Sequence, residues 1–65
     1  MNIVRVRQME REQKINDIMG LIGSSAMKYD VLVVAAMANL NISNRTAKEY
    51  ISVALYKLKI KKEDL

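Results

Sequence analysis

The sequence has no cysteine, no histidine and no proline, and it has only two glycines in 65 residues. Without cysteine the chain has neither a disulfide nor a thiolate nucleophile, and without histidine it lacks the commonest general base. These two absences also exclude the usual zinc sites. The lack of proline is compatible with long uninterrupted helices. We therefore predict that the chain is not an enzyme, that it holds no cofactor or metal, and that it takes no small-molecule substrate.

Aromatic residues and long apolar runs are also scarce. The aromatics are three tyrosines, while 51% of all residues are hydrophobic, so aliphatic side chains must form the core. The longest apolar run, residues 31–38, is far shorter than the roughly 20 residues that span a bilayer. Residues 1–14 carry too much charge for a signal peptide. These features predict one small, soluble, cytoplasmic domain that does not enter a membrane.

Apolar spacing predicts an all-α fold of three helices. The first helix is predicted over residues 9–22, where four apolar residues recur at helical intervals. Gly23 is placed to end this helix with a left-handed cap, and Ser24 or Ser25 can cap the next helix. The four apolar residues are Ile15, Ile18, Met19 and Ile22.

The second helix, predicted over residues 27–39, is apolar on every side in residues 31–38. The valines of this run also suit a buried strand, but the length of the segment and its alanine-rich continuation favour a helix. A helix that is apolar all round must be covered all round, and so small a domain covers one side. We therefore expect a homodimer. The alternative is that the first helix and the termini cover this helix within one chain.

The third helix is predicted over residues 43–58, with Ser43 as its N-cap. Its apolar residues recur at i, i+4, i+7, i+8 and i+11, which gives one inner face. These residues are Ala47, Ile51, Ala54, Leu55 and Leu58. A basic and hydrogen-bonding strip, formed by Arg45, Lys48, Ser52 and Tyr56, runs down the opposite face.

The two terminal segments, residues 1–8 and 59–65, are both basic. Residues 3–7 and 58–61 alternate apolar and basic residues with the period of a strand. They can form a small antiparallel ribbon, or wing, that rests on the helices. The competing interpretation is that residues 4–14 extend the first helix as a charged arm and that residues 59–65 form a basic tail.

Residues 33–52 resemble the helix-turn-helix of many repressors and winged-helix regulators. Met37 departs from the usual pattern because a small residue is common there, and Asn41 departs because glycine is common there. Asparagine tolerates left-handed geometry better than other non-glycine residues, so the turn is retained. The resemblance rests on Ala36, Met37, Leu40 and Ile42 around the turn and on Ala47 and Tyr50 in the helix that follows.

The resemblance implies that the third helix enters the major groove of DNA and that its first residues reach base edges. The net charge of +4 suits a polyanionic partner. The candidates for base or phosphate contacts in this helix are Ser43, Asn44, Arg45, Thr46, Lys48, Glu49, Ser52 and Tyr56. Sequence-independent attraction to phosphates is expected from Arg5, Arg7, Lys57, Lys59, Lys61 and Lys62.

These features predict a protein that binds double-stranded DNA, either sequence-specifically or as an architectural protein. Its role would be that of a small transcriptional regulator or a replication or segregation accessory at the nucleoid. In a homodimer of this class, the two third helices lie about 34 Å apart. The alternative function is a protein-interaction or oligomerisation domain that uses the apolar second helix and has no DNA role.

Overall fold

The computed structural model describes residues 3–65, with side chains from Gln8 onward, and it is all-α. The elements are α1 (Ile3–Ser24), α2 (Tyr29–Leu40), α3 (Asn44–Leu58) and a short 3-10 turn (Lys62–Asp64). The predicted three-helix fold is therefore confirmed. Within residues 3–65, no helix combines the length and the apolar character that crossing a membrane requires.

The predicted terminal β-ribbon is wrong, because residues 3–65 contain no strand. Residues 3–8 begin α1, which confirms the competing interpretation of a longer first helix. Extending an existing helix gains one hydrogen bond for each added residue, and a short alternating segment does not outweigh that gain. At the other terminus, residues 58–61 form the end of α3 and the turn that follows it.

α3 ends in a Schellman motif centred on Lys59. This residue has φ 58° and ψ 38°, in the left-handed region. The Ile60 N–H donates to the Leu55 carbonyl at 3.0 Å, and the Lys59 N–H donates to the Tyr56 carbonyl at 3.2 Å. These two bonds satisfy carbonyls at the helix end, and Ile60 packs against the core that Leu55 enters.

The predicted cap at the end of α1 is also wrong. Gly23 lies inside the helix, and within residues 3–65 no glycine has a positive φ. The helix continues to Ser24, whose hydroxyl donates to the Gly20 carbonyl at 2.8 Å. α2 has Lys28 as its N-cap without a side-chain hydrogen bond, so neither serine caps it. Asp30 in its first turn supplies negative charge at the positive end of the helix dipole instead.

The core lies where the three helices meet, and it is entirely aliphatic. Within the described part of the chain, no polar or charged side chain is buried. The buried residues are Ile15 and Ile18 of α1, Leu32, Val33 and Ala36 of α2, and Ala47, Ile51, Ala54 and Leu55 of α3. The predicted inner face of α3 is therefore confirmed, with Leu58 half-buried at its end. Two residues of this face, Ala47 and Ala54, are fully buried and add little side-chain volume between α3 and its neighbours.

α1 and α3 run in the same direction, and they pack directly against each other. Arg11, in the first half of α1, lies over the ring of Tyr50, in the first half of α3. Ile22, near the end of α1, lines the same cavity as Ile60, which follows α3. The largest interhelical interface is the one between α1 and α3.

α2 is covered on one side only. Val31 and Val34 are 55% and 65% exposed. Ala38 is exposed beside them, and Ala35 is half-exposed. The alternative that one chain covers α2 completely is therefore wrong. We call these four residues the α2 strip, and they form an apolar surface on the outside of the domain.

Replacing Lys59 by glycine is expected to stabilise the fold. A non-glycine residue is strained in the left-handed region, whereas glycine adopts it freely. Lys59→Gly should raise the free energy of unfolding by about 0.5–1 kcal/mol. Urea denaturation followed by circular dichroism measures the change.

Lys57→Gly is the matched control, because it removes the same charge from an exposed position inside α3. It should lower the free energy of unfolding by about 1 kcal/mol. Equal destabilisation by both substitutions would contradict the left-handed cap.

Candidate nucleic-acid interface

The turn between α2 and α3 fixes where the candidate DNA-binding helix begins. Asn41 ends α2 in the left-handed region, with φ 53° and ψ 52°. Ser43 is extended and caps α3, because its Oγ accepts a hydrogen bond from the Thr46 N–H at 3.2 Å. The Ser43 hydroxyl also donates to Thr46 Oγ1 at 2.9 Å. The predicted cap is confirmed, and both hydroxyls serve the start of the helix.

The residues opposite the inner face of α3 form what we call the outer face. Because one side of the helix is buried, the other side must face solvent. Ser52 donates its hydroxyl to the Lys48 carbonyl at 3.0 Å, and its oxygen remains able to accept. Tyr56 is 85% exposed. The outer face consists of Arg45, Lys48, Glu49, Ser52 and Tyr56, all of them exposed.

Asn44 lies at the boundary between α3 and α2 and not within the outer face. Its amide Nδ2 donates weakly to the sulfur of Met37, at 3.7 Å. Met37 is half-buried against the core. Met37, which departs from the usual helix-turn-helix pattern, therefore contacts Asn44, the first residue of α3.

Glu49 is held by α1. Its Oε1 lies 3.5 Å from Nη2 of Arg11, and the two side chains are 61% and 42% exposed, respectively. The Arg11 guanidinium also lies 5.5 Å from the centroid of the Tyr50 ring. Among the side chains of residues 8–65, this is the only ion pair, so no carboxylate there pairs with Arg45 or Lys48. The outer face of α3 is therefore basic at its N-terminal end.

Arg11 was not predicted from the sequence as a site residue. One signal points to it, because Arg11 precedes Ile15, Ile18 and Ile22 at helical intervals on the inward side of α1. A long cationic side chain at such a position lays its apolar stem along the core and brings its charge to the surface. Arg11 reaches α3 in this way.

The lysines near the C-terminus form a second basic region at the far end of α3. A helix of this length places its ends about 20 Å apart. Lys62 lies with its Nζ 4.1 Å from the centroid of the Tyr29 ring, so it contacts the start of α2. The exposed lysines of this region are Lys57, Lys59, Lys61 and Lys62. The structure thus separates them from Arg45 and Lys48.

The remaining predicted cations, Arg5 and Arg7, belong to the first turns of α1. The structure describes side chains only from Gln8 onward, so it does not describe those of Arg5 and Arg7. The prediction that they attract phosphate therefore stays a prediction.

A cavity of about 280 Å³ lies at the end of the domain opposite the start of α3. Its apolar lining includes Ile22, Met27, Ile60 and Leu65. At its rim, the Lys28 ammonium donates to the Leu65 carbonyl at 3.4 Å. Its volume is at or below the lower end of the range for small-molecule sites. The cavity lies between the α1–α2 connection and the last residues, and none of the residues that line it belongs to the outer face.

Comparison with known proteins gives no relative. No family model matches this sequence, and neither a curated protein nor a solved structure matches it.

Removing the Ser43 hydroxyl is expected to destabilise α3. The N–H of Thr46 then loses its acceptor at the start of the helix. Ser43→Ala should lower the free energy of unfolding by about 1 kcal/mol. Chemical denaturation followed by circular dichroism tests this value.

Ser52→Ala is the matched control, since it removes another exposed hydroxyl from the same helix. Alanine favours the helix interior, so Ser52→Ala should change the stability by less than about 0.5 kcal/mol. A loss of stability at Ser52 as large as that at Ser43 would count against the specific capping role.

Proposed function

We propose that this chain binds double-stranded DNA through the outer face of α3. One observation carries the proposal: Arg45 and Lys48 are exposed near the start of a helix that a tight capped turn presents. No carboxylate in residues 8–65 pairs with either cation. A helix of this kind fits the major groove and places its first residues at base edges.

The side chains of the outer face suit distinct roles on DNA. The Arg45 guanidinium matches the two acceptors of guanine, and Lys48 is a point charge suited to phosphate or guanine. The Ser52 oxygen and the exposed Tyr56 hydroxyl suit phosphate contacts. Asn44 suits adenine, although its contact with Met37 turns its amide nitrogen toward α2.

The basic regions at the two ends of the domain would add sequence-independent attraction. In this proposal, Lys57 and Lys59 extend the phosphate contacts along α3. Lys61 and Lys62 add charge near the start of α2, and Arg5 and Arg7 add charge on α1. The proposed role is that of a small transcriptional regulator or a replication or segregation accessory in the cytoplasm, at the nucleoid.

Binding to duplex DNA should weaken steeply as salt rises, because each neutralised phosphate releases counterions. Arg45→Ala combined with Lys48→Ala should lower the affinity by about 10- to 100-fold. It should also make the affinity less dependent on salt. The slope of log affinity against log salt concentration should become shallower by about 0.9 for each phosphate that the variant no longer neutralises. Fluorescence anisotropy of a labelled duplex between about 50 and 200 mM salt measures both quantities.

The control removes two cations outside the outer face, by Lys14→Ala combined with Lys28→Ala. It should cost far less affinity than the paired substitution at Arg45 and Lys48. Equal losses would mean that net charge alone governs binding. A duplex affinity that changes neither with salt nor with the paired substitution would refute the DNA proposal.

The α2 strip supports a second proposal, that two copies of the chain associate. In an antiparallel two-fold pairing of α2, Val31 faces Ala38 of the second copy and Val34 faces its Ala35. Each larger side chain then meets a smaller one, which favours close packing. The strip carries no charge, and the two copies of Asp30 lie at opposite ends of such a pair. A second copy therefore fits the strip.

The size of the strip sets the expected strength of this association. Four small side chains cover much less than the roughly 800 Å² per partner that a stable interface buries. The homodimer should therefore be weak in solution and favoured when two copies occupy neighbouring half-sites. Their α3 helices would then lie about 34 Å apart along the DNA. If a different protein covers the strip, the chain is instead an interaction domain, which is the alternative function.

Analytical ultracentrifugation tests self-association. The weight-average mass should rise toward that of a dimer between about 10 µM and 1 mM protein. Val34→Glu should keep the chain monomeric because it places a charge in the centre of the apolar contact. Met9→Glu is the control, because Met9 is 62% exposed and lies on α1, outside the strip. A constant monomer mass, or equal effects of both substitutions, would refute the proposed dimer.

A further inference from the structure

We infer that Arg11 of α1 is a positioning residue that masks the Glu49 carboxylate on the outer face of α3. This inference rests on the proposed DNA-binding function. Masking would keep a negative charge from opposing phosphate on an otherwise basic face.

Glu49 belongs to the outer face and lies one turn after Arg45. It follows Arg45 by four residues and precedes Ser52 by three, so all three side chains are neighbours on the helix surface. An unpaired carboxylate at this place would repel a phosphate. It would also compete with DNA for Arg45, at the spacing where opposite charges pair along a helix.

Arg11 removes that competition from outside α3. Its Nη2 lies 3.5 Å from Oε1 of Glu49, while Arg45 and Lys48 take part in no ion pair among the described side chains. The Tyr50 ring, 5.5 Å from the guanidinium carbon, supports Arg11 beside α3. A guanidinium has five N–H donors, so the pair with Glu49 leaves other donors for a phosphate.

The Arg11–Glu49 pair is exposed, so an approaching phosphate can reach both charges. Both side chains keep much of their surface in water, at 42% and 61%. Ion pairs with this exposure add little to folding stability. Within the proposed interface, the test of this pair is therefore its effect on duplex affinity.

A double-mutant cycle on the full chain tests the masking, with duplex affinity measured by fluorescence anisotropy. Glu49→Gln should raise affinity about threefold, because it removes the carboxylate charge. Arg11→Ala should lower affinity about tenfold, because it removes a cation and exposes Glu49. In the Glu49→Gln background, Arg11→Ala should lower affinity only about threefold, because no carboxylate is left to mask.

Lys14→Ala is the matched control, since it removes a cation from the same helix that forms no ion pair in residues 8–65. Its effect should be the same in the unmodified chain and in the Glu49→Gln background. Circular dichroism of each variant verifies that the helices are intact. Arg11→Lys should restore most of the affinity, because it keeps the positive charge beside Glu49.

The cycle separates three outcomes. Different effects of Arg11→Ala in the two backgrounds support the masking. Equal effects, with salt-dependent binding by the unmodified chain, overturn the masking and leave the DNA proposal intact. Absence of binding by the unmodified chain refutes the DNA proposal, and the masking with it.

Discussion

The packing of the inner face of α3 against α1 and α2 is the contact on which the other features depend. Ala47, Ile51 and Ala54 are all fully buried, and the large side chain of Ile51 lies between the two small ones along the helix. Because this face is apolar and fully covered, the rotation of α3 about its own axis is determined. That rotation places Arg45 and Lys48 in solvent, and the proposed DNA binding depends on their exposure.

The same packing leaves two surfaces with different chemistry. The outer face of α3 is polar and basic, while the α2 strip is apolar and lies outside the core. A domain this small has too little volume to cover α2 on both sides. The two proposals therefore use different surfaces, the apolar strip for a second copy of the chain and the basic face for DNA. The two surfaces share no residue.

Much of the candidate site follows from local sequence. The Ser43 cap requires only a serine three residues before the backbone N–H that it accepts from, at the start of α3. Asn41 adopts the left-handed region because asparagine tolerates that conformation better than most residues do. The pairing of Glu49 does not follow from local sequence. Glu49 has Arg45 one turn away and Lys48 beside it, yet it pairs with Arg11. Only the arrangement of α1 across α3 brings that guanidinium within reach.

The sequence by itself determined three helices, the inner face of α3, and the turn between α2 and α3. These features depend on spacing and backbone preference over a few neighbouring residues. Tertiary structure decided where α1 ends, how residues 58–61 fold, and which cation meets Glu49. Alternation and glycine placement leave several local conformations close in energy, and packing against the rest of the domain selects among them.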